Sequence, residues 1–170
     1  TLDGSAQPMR HPKRDNDPLI GRKLAGKYEV LNVIGRGGLG TVYKGVQDPI
    51  GREVAIKVIA HHRAGDEVLR KRFQREAHAA ARLKHPAIVA LYDFGEDQGE
   101  LFMVMEFVEG SELRDHLRKG QGMQPERMVQ IARQVLSGLA HAHKAGLVHR
   151  DLKPENIMLS EGPFGGERAQ

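Results

Sequence analysis

The sequence predicts an α+β fold, with an antiparallel sheet early in the chain and helices gathered after it. Three observations carry that prediction. Between Tyr28 and Ile59, short runs rich in Val, Ile, Thr and Tyr are separated by turns bearing Gly and Pro, the pattern of a meander. After Gly110 the apolar spacing changes from alternation to a helical period. Length and composition suit one domain with a real core: 170 residues, 39% hydrophobic and 28% charged.

Each element follows from local chemistry. Residues 1–26 are rich in Pro, Gly, Asp and basic side chains and read as a flexible leader, with Ile20–Leu24 docking on the domain edge. Strands are expected at Tyr28–Ile34, breaking at Gly35, and at Thr41–Val46. The turn Asp48-Pro49-Ile50-Gly51 leads to a third strand at Glu53–Ile59, with Val54, Ile56 and Val58 on one face and Ala55, Lys57 and Ile59 on the other. Asp66–Leu83 reads as a helix stopped by His85-Pro86. Strands follow at Ile88–Phe94 and Leu101–Phe107, with Gly95–Gly99 as their turn. A short helix at Glu112–Lys119 precedes a long one from Pro125 to about Lys144, whose apolar face includes Met128, Ile131, Val135, Leu136 and Leu139. Leu147-Val148 and Ile157–Leu159 read as short strands bracketing a loop, and residues 160–170 show no clear element.

Composition narrows the function classes. Cysteine is absent, so there is no disulfide framework or thiolate metal site, and a reducing compartment, the cytoplasm, is expected. The net charge is +4, with basic residues concentrated in 63–84. That cluster lacks aromatic interleaving and reads as a solvated helix face, so no nucleic-acid partner is expected. No apolar run approaches the ~20 residues that span a bilayer. Residues 1–20 lack the apolar core of a secretory signal. The first residue is Thr, which points to processing or to a piece of a longer product. His141 and His143 lie two apart on a helix and do not share a face, so they read as helix surface, and His61-His62 reads as loop.

Three stretches carry chemistry. Gly35-Arg36-Gly37-Gly38-Leu39-Gly40 holds G-x-G-x-x-G. Strand residues follow it, whereas a Rossmann site opens a helix, and no Lys-Ser or Lys-Thr closes it as in a Walker A loop. A hairpin of this kind lets backbone amides approach phosphates without Cβ clashes, although a plain glycine-rich hairpin has the same pattern. Val54-Ala55-Ile56-Lys57 sets a lysine among apolar neighbours, where its charge needs a partner. His149-Arg150-Asp151-Leu152-Lys153-Pro154-Glu155-Asn156 places an acid, a lysine and an asparagine on one loop. The acid can orient a hydroxyl, the lysine can neutralise phosphate charge and the asparagine can bind a metal ion, a set suited to phosphoryl transfer.

In this order the stretches resemble the protein kinases, and Gly-Gly-Leu-Gly-Thr-Val-Tyr-Lys is similar to the bacterial, eukaryotic-like serine/threonine kinases. The resemblance covers about Tyr28 to Leu159. It implies a two-lobed fold: a leader over 1–26, a complete small lobe of antiparallel sheet plus one helix over 27–107, and over 108–170 a hinge and a truncated helical large lobe ending after the catalytic loop. It implies ATP and Mg²⁺ as cofactors and a protein with a Ser or Thr acceptor as substrate. Asp151 would accept or orient the hydroxyl, Lys153 would lie near the γ-phosphate and Asn156 would hold Mg²⁺. The nucleotide-binding set would be Ile34, Gly35, Gly37, Gly40, Val42, Ala55, Lys57, Glu76, Met105, Glu106, Val108 and Glu112. Within it Lys57 would bind the α/β-phosphates and pair with Glu76. Met105 would be the gatekeeper, the backbone at Glu106 and Val108 would meet the adenine, and Glu112 would meet the ribose. His149 would be a structural anchor, and Arg150 would meet a phosphorylated activation loop.

The sequence departs from the family after the catalytic loop. No Asp-Phe-Gly follows the loop, and Phe164-Gly165 is preceded by Pro163. The activation segment, the Ala-Pro-Glu element and the remaining large-lobe helices are also missing. Two expectations follow: an ATP-dependent serine/threonine kinase present here as an inactive N-terminal fragment, or a non-catalytic nucleotide-binding or interaction module. Neither the protein substrate nor an oligomeric state is legible.

Overall fold

The computed structural model describes residues 17–38, 40–59, 67–118, 122–162 and 166–170. The first sheet is six-stranded and antiparallel. Its strands are β1 (Lys23–Leu24), β2 (Tyr28–Gly37), β3 (Gly40–Gln47), β4 (Arg52–Ile59), β5 (Leu91–Asp97) and β6 (Glu100–Glu106), in the order β1-β2-β3-β4-β6-β5. Helix α1 (Glu67–Ala80) connects β4 to β5.

Alternation decides what each face does. Along β4, Val54, Ile56 and Val58 are buried while Ala55, Lys57 and Ile59 are half-buried. Ile56 pairs with Tyr43 on β3 and Val104 on β6, and these side chains join Tyr28, Val30 and Phe102 in the main core. Full burial of each such aliphatic or aromatic side chain contributes roughly 1.5–3 kcal/mol. The opposite face carries Lys57, which pairs with Val42 and Met103. There α1 lays Phe73 against Leu101 with Ile59, Phe94 and Met103 around it, and the Phe73 and Phe94 rings meet edge-on at 6.4 Å.

A second, three-stranded antiparallel sheet is formed by β7 (Gly110–Glu112), β8 (Met158–Glu161) and β9 (Glu167–Ala169). Beside it lie α2 (Leu113–Arg118) and α3 (Pro125–Lys144). Leu113, Ile131, Ile157, Leu159 and Ala169 form its core. Of the apolar face expected on α3, Ile131 is 2% exposed but Leu136 is 63% exposed.

The structure revises several expectations. From Asp17 onward the leader is built into the domain: Leu19 and Leu24 enter the main core, and the Gly21 amide donates to Val30 O while the Val30 amide donates to Arg22 O. The rest of the expected leader, residues 1–16, lies outside the described residues. Strand β2 continues through Gly35 to Gly37, with register shifts at Val30/Asn32 and Val33/Gly35 absorbing the irregularity. Strand β5 starts at Leu91 rather than Ile88, whose amide closes a turn onto His85 O. Its hairpin turn is confined to Gln98-Gly99, both with positive φ, and Gly95 stays in the strand beneath the Phe102 ring. Leu147-Val148 forms no strand. Strand β9 appears where no element was expected, because α3 supplies partners for its backbone: Gln134 donates to Glu167 O and accepts from the Ala169 amide.

Candidate active site

The glycine-rich hairpin joins β2 to β3, and its three motif glycines answer different demands. Gly40 has φ of 149°, and a Cβ there would lie 2.0 Å from Val58 O, so the sheet itself requires glycine at this position. A Cβ on Gly35 would meet only Val42 Cβ at 3.9 Å, and one on Gly37 only Gly40 O at 4.0 Å. Neither has a positive φ. The hairpin's own packing therefore does not demand glycine at 35 or 37, whereas a phosphate lying against bare backbone would. Ile34, just before the glycines, is 47% exposed despite its apolar side chain. Val42 and Ala55 are half-buried on neighbouring strands.

Lys57 projects from the α1 face of β4 and is half-buried. The expected ion pair with Glu76 is absent among the described residues. Glu76 is exposed and binds Arg72 Nε at 2.9 Å, one turn earlier on its own helix. The reason is the rotation of α1: Phe73 and Ala77 take the buried side, leaving Glu76 beside its (i, i+4) neighbour.

The connection after β6, between Glu106 and Gly110, holds the residues expected at a hinge. Met105 pairs with Ala55 across the sheet. The Glu106 amide donates to Ala90 O at 2.8 Å, and its carboxylate accepts the Ala90 amide at 3.2 Å, which fixes the end of β6. Arg168 and Gln170 also reach this carboxylate, at 3.8 and 3.3 Å. Among the described residues Val108 has no backbone hydrogen-bond partner. Glu112, on β7, is ion-paired with Arg114 at 3.0 Å, and Arg114 also reaches Glu155 at 3.5 Å. Arg114 was not legible as a site residue, because its two acidic partners lie on separate elements.

The loop between α3 and β8 closes on itself. Arg150 has φ of 64°, a region few non-glycine residues occupy. The Asp151 amide donates to His149 O, and Pro154–Asn156 forms a 3₁₀ turn in which the Asn156 amide donates to Lys153 O. The Asp151 carboxylate lies 3.0 Å from Lys153 Nζ and 3.1 Å from Asn156 Nδ2, which also donates to Asp151 O at 2.7 Å. Hydrogen bonding to Lys153, then to Asn156, holds the Asp151 carboxyl below the usual carboxylate range despite some opposing desolvation. The structure thus brings together all three residues expected on this loop.

The donor set fits a magnesium–nucleotide complex better than a free ion. Asn156 Oδ1 has no hydrogen-bond partner among the described residues, and Asp151 is ionised beside it. No cluster of three or more His, Cys, Asp or Glu able to hold a metal is present among the described residues. Mg²⁺ commonly takes one or two protein oxygens and completes its shell with water and substrate phosphates.

A glycine hairpin over a lysine strand, followed across a hinge by an acid–lysine–asparagine loop behind a long helix, defines the protein-kinase class of fold. The comparisons agree: the family profile described as the protein kinase domain matches residues 28–164, and the chain belongs to that family. Among curated relatives, the serine/threonine-protein kinase PrkC of Bacillus subtilis is 42% identical over 83% of this chain and 22% of its own length. PknL of Mycobacterium tuberculosis is 48% identical over 85% of this chain and 36% of its own length. Pkn3 of Myxococcus xanthus is 45% identical over 89% and 27%. The crystal structure of the M. tuberculosis PknI kinase domain superposes with a TM-score of 0.76 at 34% identity, over 88% of this chain and 59% of that one. The chain therefore spans about a fifth to a third of the length of these curated relatives.

Proposed function

We propose that this chain forms the nucleotide-binding part of a protein serine/threonine kinase that transfers the ATP γ-phosphate to a Ser or Thr hydroxyl of a protein. Residues 27–107 are the small lobe, and 108–170 are the hinge and part of the large lobe. The observation that carries the reading is the joined Asp151–Lys153–Asn156 cluster. An ionised Asp151 orients the incoming hydroxyl and takes its proton, Lys153 balances charge beside it, and Asn156 offers Oδ1 to Mg²⁺. Bound Mg²⁺ supplies charge neutralisation on the transferred phosphate. Gly35 and Gly37 give the phosphates access to backbone amides. Lys57 supplies the nearby positive charge, and Ile34, Val42, Ala55 and Met105 flank the base. The Val108 backbone, with Glu106, reads its edge. Glu76 would join Lys57 only after a rotation of α1, and Glu112 would reach a ribose only by sharing Arg114. A cytoplasmic location follows from the need for ATP.

Two measurements test the reading. Titrating Mg·ATP into the 170-residue chain should give saturable binding, weakened about tenfold by Lys57→Met. Undiminished binding by that variant refutes the phosphate-binding role. Phosphotransfer by the same chain should be slight, since its sequence holds no Asp-Phe-Gly for the second metal contact. In a longer gene product that has the motif, Asp151→Asn should lower kcat by about 10²–10⁴. An unchanged kcat there would rule out the assigned base.

A further inference from the structure

We infer that Asp17 is a positioning residue that ties the glycine-rich hairpin, from its outer side, to the segment preceding the sheet. The inference rests on the nucleotide-binding reading above and adds a control point outside the site. The Asp17 side chain is only 7% exposed, and a buried carboxylate persists only when its oxygens are satisfied. Here it accepts the Tyr43 hydroxyl at 3.0 and 3.1 Å, Arg36 Nη2 at 3.0 Å and the Leu19 amide at 3.2 Å. Arg36 stands between Gly35 and Gly37 on β2, while Tyr43 lies on β3, so one carboxylate holds both strands of the hairpin.

The register shows on which side the tie lies. Tyr43 pairs with Ile56 and Val42 with Lys57, so Tyr43 faces away from the lysine. Arg36 pairs with Thr41, two residues before Tyr43 and on the same face. The contact therefore leaves the nucleotide side free. The anchor itself is firm: Leu19 is 6% exposed in the main core, and the following residues are hydrogen-bonded to Val30. The hairpin needs such help. It ends at the pair Gly37–Gly40, and glycines contribute no packing and lose the most freedom on ordering. A cavity of about 300 Å³ is lined by the Asp17–Leu19 segment on one side and by Gly37, Gly40 and Thr41 on the other. Ordering the hairpin in advance lowers the entropy that nucleotide binding must otherwise overcome.

The test uses the 170-residue chain with Asp17→Ala, Asp17→Asn and Arg36→Gln. The last alters a side chain that is 55% exposed and removes one arm of the tie without entering the core. Amide hydrogen exchange should accelerate in peptides covering Gly35–Thr41, in all three variants, and stay unchanged in β4 and β6. The Kd for Mg·ATP should rise about fivefold or more in Asp17→Ala, the low end of ordinary coupling between sites. Asp17→Asn, which keeps an acceptor for Tyr43 but not the charge, should fall between it and the parent. Hairpin exchange equal to the parent's in Arg36→Gln and Asp17→Asn overturns the inference. So does an unaltered Kd in Asp17→Ala when the parent binds nucleotide. A parent that binds no Mg·ATP instead refutes the nucleotide reading, and the exchange result alone then decides the tie.

Discussion

Single residues divide into those the fold requires and those only a ligand requires, and the glycines show the division best. Gly40→Ala drives a Cβ into Val58 O and onto an unfavourable φ, so it should destabilise the chain by at least about 2 kcal/mol. Gly37→Ala meets only Gly40 O at 4.0 Å, an ordinary contact, and should change the denaturant midpoint little while weakening Mg·ATP binding. Urea titrations paired with nucleotide titrations check this. If Gly37→Ala unfolds as readily as Gly40→Ala, the glycines belong to the hairpin and not to a phosphate. The sequence pattern could not separate them, because spacing does not say which carbonyl approaches which Cα. Asp151, Lys153 and Asn156 were legible for the opposite reason: their contacts close within one loop. The expected Lys57–Glu76 pair does not form among the described residues, because it depends on how α1 is rotated about Phe73, a tertiary quantity that spacing does not carry.

Elements were legible in proportion to their periodic signal. Strands β3 and β4 alternate and were placed nearly to the residue, and α3 was placed from Pro125 to Lys144 by its apolar period and its first-turn proline. Strand β9, Glu-Arg-Ala, carries no period and exists through its neighbours. Gln134 of α3 brackets it with two hydrogen bonds, and Arg127 forms a bidentate pair with Glu167. The same pair, through Arg127, holds the Glu167 carboxyl below its usual range. Gln134→Ala removes both backbone partners together and should cost about 1–3 kcal/mol locally. The measurable sign is faster hydrogen exchange at the Ala169 amide with α3 unchanged. Equal protection in the variant would mean that pairing with β8 alone suffices to hold the strand.

At the scale of the whole molecule, two tyrosines join distant parts of the chain through buried hydroxyls, and both make stability depend on alkaline pH. Tyr28 donates to Asp93 Oδ2 at 2.7 Å, linking β2 to β5, and Tyr43 donates to Asp17, linking β3 to the segment before the sheet. Burial first, and hydrogen bonding to the facing carboxylate second, push each phenol from 10.0 up to about 12. Below pH 10 both the folded and unfolded chains keep these protons, and the stabilisation is fully present. Between pH 10 and 12 the unfolded phenols ionise while the folded ones stay neutral, so the unfolded chain binds fewer protons and stability falls as pH rises. Each tyrosine contributes a slope of up to about 1.4 kcal/mol per pH unit across that window. Urea midpoints measured from pH 9 to 12 should therefore fall more steeply for the parent than for Tyr43→Phe, which titrates one phenol fewer. The comparison cancels lysine ionisation, which both chains share. Parallel curves would show that the Tyr43 proton is not held by the fold, and the Asp17 contact would then lack the buried hydrogen bond on which the outer tie to the hairpin depends.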